Sequence, residues 1–430
     1  MAPYRRPLAS LGLAAGLTGL SGAAVAADAT PAVDSPMAAI VQGKLILEIR
    51  ARYEDVDQAN LANDAQAFSV RTRLGWQTAS WQGLQALVEM ENVFHLDDSH
   101  YNVAVPGGTS LNGRTQYPII NDPSVTELNR AQLTWTASPH LSLTAGRQRI
   151  LIDDQRFVGN VGWRQDEQTF DAVRADAHLG GFQATYAYVF HVNRIFGQSL
   201  DWRSDSHLVN ASYTVSPRLK LEGFVYALDF GNAATSSTLT RGLRLSGKAP
   251  AGPLKLTYDA TWARQGAYGD NPARFGLDYW QASATATWKI ASVRADYEQL
   301  DGNGTRGFIT PLATTHGFQG WADAWAAVGG NKTAVDGLKD VNVSLALRPP
   351  VKLPLLRDPE LLVRRYDFWA ARTGAKLAGE WDAQIQAAVT PRLTCAVKYA
   401  AFDRESVVPA GTALAPPSRT KVWLTFDFKL

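Results

Sequence analysis

The densest concentration of ionisable side chains runs from Gly146 to Arg174, GRQRILIDDQRFVGNVGWRQDEQTFDAVR. It packs Arg147, Arg149, Asp153, Asp154, Arg156, Arg164, Asp166, Glu167, Asp171 and Arg174 into one stretch. Guanidinium and carboxylate groups mixed in this way suit reversible contact with a charged solute, and arginine-rich rings select anions in pores. A plainer reading is that these arginines pair with facing acids and hold a wall together; Glu48, Glu89, Glu91, Asp259 and Asp296 are available for that. Other chemistry is poorly supplied. His95, Asp97, Asp98 and His100 share a polar loop, but such loops often carry this composition, so no metal and no other cofactor is expected. His178, His191 and His207 fall on or near strands with no serine at a spacing that suits nucleophilic catalysis. No Gly-x-Ser-x-Gly elbow or phosphate-binding glycine loop is present. Cys395 is the only cysteine, which excludes an internal disulfide framework.

The elements that must position this stretch show a two-residue rhythm. In Lys44–Glu54, Glu48, Arg50, Arg52 and Glu54 alternate with Leu47, Ile49, Ala51 and Tyr53. Arg71 and Arg73 alternate with Val70, Thr72 and Leu74; Glu89 and Glu91 alternate with Val88 and Met90. At the other end, Val422, Leu424, Phe426, Phe428 and Leu430 share one face while Trp423, Thr425, Asp427 and Lys429 share the other. Successive side chains of a strand point to opposite faces. The pattern recurs in about 18 segments of roughly 9–11 residues, the length that crosses a bilayer at a tilt. Short turns such as Gly180-Gly181 and Ser216-Pro217-Arg218 alternate with long loops such as Leu96–Ser124, Ile150–Gln168 and Leu300–Asp340. Outer-membrane barrels show that asymmetry between periplasmic turns and extracellular loops. Pro349–Pro359 is a long connection where a short turn is expected and suggests a flap beneath the pore. Trp76, Trp81, Trp135, Trp262, Trp280 and Trp288 fall near segment ends, as interfacial girdles require. The expected fold is therefore all-β: a transmembrane antiparallel β-barrel over 43–430 in a bacterial outer membrane, surrounded by its lipids and lipopolysaccharide.

Ahead of it, Arg5 and Arg6, the apolar stretch Leu8–Val25 and Ala24-Val25-Ala26 make a secretory signal peptide over 1–26, followed by a periplasmic segment over 27–42. The chain carries 42 Lys+Arg against 40 Asp+Glu. Removing Arg5 and Arg6 leaves the two balanced, which excludes the strong basic excess of a nucleic-acid binder.

About 18 strands enclose a lumen too wide to be filled by the wall's own side chains. The polar faces carry Arg71, Arg73, Arg130 and Glu89 among others, and the charged loop after Leu141–Ala145 is expected to fold inward and narrow the passage. Strict parity would put Arg147 and Arg149 toward lipid, at a cost of several kcal/mol. A bulge near Gly146 is expected to turn them inward.

The run Gly146-Arg147-Gln148-Arg149, with Asp153-Asp154-Gln155-Arg156-Phe157, Gly159-Asn160 and Trp163, resembles the signature region of the alginate export family of outer-membrane porins. The resemblance covers nearly all of the chain after the signal peptide. It implies an 18-stranded monomeric barrel with an electropositive constriction that passes a polyanionic uronate chain, working with periplasmic secretion partners. It nominates Arg147, Arg149, Asp154, Arg156 and Arg174 as constriction residues. Two channel readings follow: passage of an anionic polysaccharide or oligosaccharide, or a porin for small anionic solutes. A barrel-embedded lipid-modifying enzyme is the third and weakest reading.

Overall fold

Alternating apolar and polar side chains produce strands that are greasy on one side only, and a sheet of them closes on itself to leave no unpaired edge. The computed structural model describes residues 32–105, 108–327, 334–351 and 356–430; the signal peptide lies outside them. Eighteen strands follow in chain order, beginning β1 (Lys44–Gln58), β2 (Ala65–Gln77), β3 (Leu84–Asp97), β4 (Val125–Ser138), β5 (Leu141–Gln148) and β6 (Thr169–Leu179). Next come β7 (Phe182–Asn193), β8 (Trp202–Ser216), β9 (Leu219–Leu228), β10 (Thr238–Ala251), β11 (Leu254–Ala267) and β12 (Gly276–Trp288). The last are β13 (Ala291–Leu300), β14 (Leu338–Leu347), β15 (Arg357–Trp369), β16 (Lys376–Thr390), β17 (Leu393–Arg404) and β18 (Arg419–Lys429). Each pairs antiparallel with its chain neighbours, and β18 closes on β1 from Glu48↔Lys429 to Gln58↔Arg419.

The polarity of the barrel is inverted relative to a water-soluble protein. Leu243 is 62% exposed, while Arg52 and Glu89 are 1% and 0% exposed. Outward apolar groups meet lipid and inward charges meet one another. Trp76, Trp135 and Trp288 stand beside the short turns; Trp262 and Trp280 face each other near the opposite strand ends, ring centroids 6.2 Å apart.

Several strands outrun the expected 9–11 residues. β1 and β2 continue through most of the anticipated Asp55–Gln66 loop, leaving only 59–64, because a hydrogen-bonded ladder is as acceptable in water as in lipid. Residues 370–375 likewise form a short loop on the long-loop side. Of Pro349–Pro359, residues 352–355 lie outside the described set, and Arg357, Asp358 and Pro359 belong to β15. Pro359 falls where the β15–β16 register shifts between Arg357 and Glu360, a site that needs no proline N–H. Before the barrel, α1 (Pro36–Val41) begins at Ser35, whose Oγ accepts from Ala38 N at 3.1 Å; the Trp76 indole donates to Ile40 O at 3.0 Å and holds the helix at the turn side.

No bulge forms near Gly146, so Arg147 keeps the strand parity of Leu143 and Ala145 instead of turning inward. The β4–β5 and β5–β6 ladders run through it without a register shift there, while Gly146 itself has φ +110°. A Cβ at that position would collide with the Ala131 carbonyl oxygen. Gly146→Ala is therefore expected to lower barrel stability by about 1–3 kcal/mol, read as an earlier urea unfolding midpoint of the refolded protein. An unchanged midpoint would show that the backbone there relaxes freely.

Candidate functional site

Two long loops enter the barrel: L3 (149–168), between β5 and β6, and L7 (301–337), between β13 and β14. Apolar anchors draw them in. Ile150, Ile152, Val158, Phe308 and Leu312 pack with Leu208, Phe224, Tyr226 and Tyr279 on the inner wall. On the other side Trp321 and Trp325 pack with Tyr366, Phe368, Phe402 and Trp423, with Trp163 against them. The loops also join each other: Gly159 N donates to Leu312 O at 2.8 Å and Thr314 N to Gln155 O at 3.0 Å. L3 crosses the lumen, and L7 braces it.

Where L3 meets β1–β4, arginines and carboxylates interlock. Arg130 grips Glu89 with Nη2–Oε2 at 2.6 Å, and Asn129 Nδ2 donates to Glu89 Oε1 at 2.8 Å. Two consecutive residues reach one carboxylate because the β3–β4 register shifts between Glu89 and Met90, which inserts Asn129 as a bulge. Arg149 bridges Glu167 at 2.5 Å and Glu89 at 3.4 Å. Arg73 pairs with Glu91, with Glu167 at 3.2 Å and with Glu48 at 3.5 Å; Arg71 lies 3.8 Å from Glu48 and 3.9 Å from Glu91. Arg50 donates to Gly162 O at 3.0 Å and Arg52 to Trp163 O at 2.7 Å, so wall arginines hold the L3 backbone itself. Asp166 in L3 is pushed well above the usual carboxylate range by burial and by Glu91 and Glu127 beside it. Arg50, Arg52, Arg71, Arg73, Arg130 and Arg149 face Glu48, Glu89, Glu91, Glu167 and Asp427 across this cluster.

The nominated residues separate into groups. Arg71, Arg73, Glu89, Arg130 and Arg149 converge on this cluster. Arg147 does not: it stays on the wall, pairing with Asp171 at 2.8 Å and donating to Leu128 O at 3.0 Å. Arg174 lies farther down β6 with Asp176 at 2.7 Å. Asp154 and Arg156 belong to the far wall. Asp154 meets Arg244 at 3.2 Å, and Arg156, only 2% exposed, clamps L3 to Glu298 at 2.5 Å and to Thr310 of L7 at 3.0 Å. His95, Asp97, Asp98 and His100 do not converge as a set. His95 Nδ1 contacts Ser124 at 3.0 Å, Asp98 pairs with Arg114 at 3.4 Å, and His100 contacts Asp97 at 3.0 Å.

Sequence reasoning missed the second anchoring point. Lys398 on β17 points its ammonium at Trp321 (3.6 Å) and Trp163 (3.9 Å), and lies 2.8 Å from His316 Nε2. His316 stacks on Trp163 at 3.9 Å and contacts Asp323 Oδ1 through Nδ1 at 3.0 Å. One wall cation thereby holds residues of both loops. A signal was present: Leu208, Phe224, Tyr226, Phe402 and Trp423 are apolar on the water-facing parity, which marks surface covered by something other than water.

The comparisons agree with this architecture. A family model described as alginate export matches residues 43–294. Pseudomonas aeruginosa OccK9 (OpdG) superposes with a TM-score of 0.70 at 15% identity, covering 91% of this chain and 100% of the other. Acinetobacter baumannii OccAB2 does so with a TM-score of 0.70 at 14% identity, covering 91% and 99%. The structure of Pseudomonas aeruginosa OpdK with vanillate gives 0.68 at 14% identity, covering 91% and 99%. At such identities the likeness is one of fold. No curated protein sequence matches the chain.

Proposed function

This chain belongs to the alginate export family and forms a channel in the bacterial outer membrane, and from that premise we propose that it passes an anionic, uronate-like oligosaccharide or polysaccharide by passive diffusion. The observation that carries the reading is the arginine cluster where L3 crosses the lumen. Arg71, Arg73, Arg130 and Arg149, partly neutralised by Glu89 and its neighbours, offer a polyanion several weak contacts in succession. Full neutralisation would give no preference, and uncompensated cations would hold the solute too long to let it move on.

A second reading has a specific observation behind it. L3 and L7 hydrogen-bond to each other across the lumen, which narrows the route for a polymer more than for a small anion. OpdK is known in a structure with vanillate, a small aromatic anion.

Single-channel recording in planar bilayers separates the two. The wild-type channel is expected to prefer chloride to potassium and to be blocked by uronate oligomers. Arg149→Ala is expected to weaken that block about tenfold, the equivalent of about 1.4 kcal/mol. Indifference to oligomers with block by small organic anions favours the second reading; cation preference removes both.

A further inference from the structure

Above the cluster, L2 (98–124), L3, L4 (194–201, between β7 and β8) and L7 line a small pocket of about 80 Å³ that is partly open to solvent. Most cations at its edge are already neutralised. Arg164 meets Asp323 at 2.9 Å and Glu54 at 3.2 Å; Lys421 meets Glu54 at 3.4 Å and Asp323 at 3.6 Å. Arg194 differs. Its guanidinium lies over the ring of Trp202 at 4.0 Å and that of Phe196 at 4.9 Å, and among the described residues no carboxylate stands at ion-pair distance from it. The nearest acid is otherwise engaged: Asp201 Oδ1 accepts from the Arg194 backbone N at 2.7 Å, and its Oδ2 faces His191 at 3.4 Å. Burial with so little compensation pushes the Arg194 guanidinium down to about 10.

A guanidinium held by two rings keeps its fork of donors in a fixed plane, the arrangement that suits bidentate binding of a carboxylate. The rest of the lining is mixed. Ile119, Ile195 and Pro311 offer apolar surface, while Asn121 and Gln168 are polar. We propose that this outer vestibule is a binding site for a carboxylate carried on a six-membered ring, with Arg194 as the carboxylate clamp. It is a capture site separate from the constriction, and as an uronate site it rests on the channel reading above. A sugar acid at a chain end and an aromatic acid share the recognised chemistry.

The test uses the full-length channel in bilayers, with uronate trimers or benzoate added to the extracellular side. Arg194→Gln is expected to weaken block by the recognised acid at least tenfold while leaving conductance, chloride preference and block from the periplasmic side unchanged. Arg194→Lys, which keeps the charge and loses the fork, is expected to fall between. If Arg194→Gln lowers block by benzoate while uronates never block the wild type, the site stands and the polymer reading falls. If uronates block the wild type and both variants equally, the vestibule site is wrong and the channel reading survives. Should Arg194→Gln fail to insert, the Lys variant alone decides: block equal to wild type by both acids overturns the site.

Discussion

Lys398→Met is expected to release L7 from the wall and turn a quiet channel into a noisier one of higher conductance. The ammonium is the common partner of Trp321, Trp163 and His316, so its loss loosens both loops at once. A desolvated cation over a tryptophan face contributes about 2 kcal/mol, and two such faces flank this one. Methionine keeps most of the stem and removes only the charge. The seated state also depends on the protonation of His316. Its Nε2 accepts from Lys398 and its Nδ1 donates to Asp323, an arrangement that only neutral imidazole can make. Burial, with the Lys398 ammonium beside it, pushes the imidazole well below its ordinary value. The sign follows. Above pH 6.5 both the seated and the released loop carry neutral His316, and there is no penalty. Below it the released loop takes up a proton that the seated loop does not, so seating weakens by about 1.4 kcal/mol per pH unit until the lowered value is reached. Flicker in the wild-type current should rise between pH 7 and pH 5, and His316→Gln should remove most of that rise. Identical current traces at the two pH values would show that this contact does not hold the loops.

Glu89→Ala is expected to increase chloride preference and to destabilise the barrel together. Glu89 has no exposed surface and is shared by Arg130, Arg149 and Asn129. Removing one partner of a buried ion pair costs about 3–5 kcal/mol, because the remaining charges lose their compensation without regaining water. Arg149 keeps Glu167, which limits the loss on that side. The reversal potential in a salt gradient should move toward the chloride value, and the unfolding temperature in detergent should fall. Adding Arg130→Gln to Glu89→Gln should restore stability and reduce anion preference, since the pair leaves together. A shift in stability with no change in reversal potential would mean that permeating ions do not pass this cluster.

The about 18 alternating segments read from the sequence correspond to the eighteen observed strands, because parity in a membrane wall is enforced residue by residue. β3 begins at Leu84, after a tight turn in which Trp81 and Leu84 bridge. Cluster membership was only partly legible. Arg71, Arg73 and Glu89 follow from facing direction alone. Arg130 required the Asn129 bulge, and Arg149 lies just past the end of β5 in L3; neither shows in a two-residue pattern. Arg156 and Asp154, in the same stretch as Arg149, were carried to the opposite wall.

The sequence by itself determined the class of wall, the number of its strands and, along regular stretches of strand, which side chains face away from lipid, since each is a local consequence of strand geometry meeting lipid. The tertiary structure alone decided which charges meet. L3 and L7 are held by contacts between residues distant in the chain, some more than 100 positions apart, as Arg156 with Glu298 and Trp163 with Lys398 illustrate. A contact of that kind depends on the closure of the whole ring, and no local repeat encodes it.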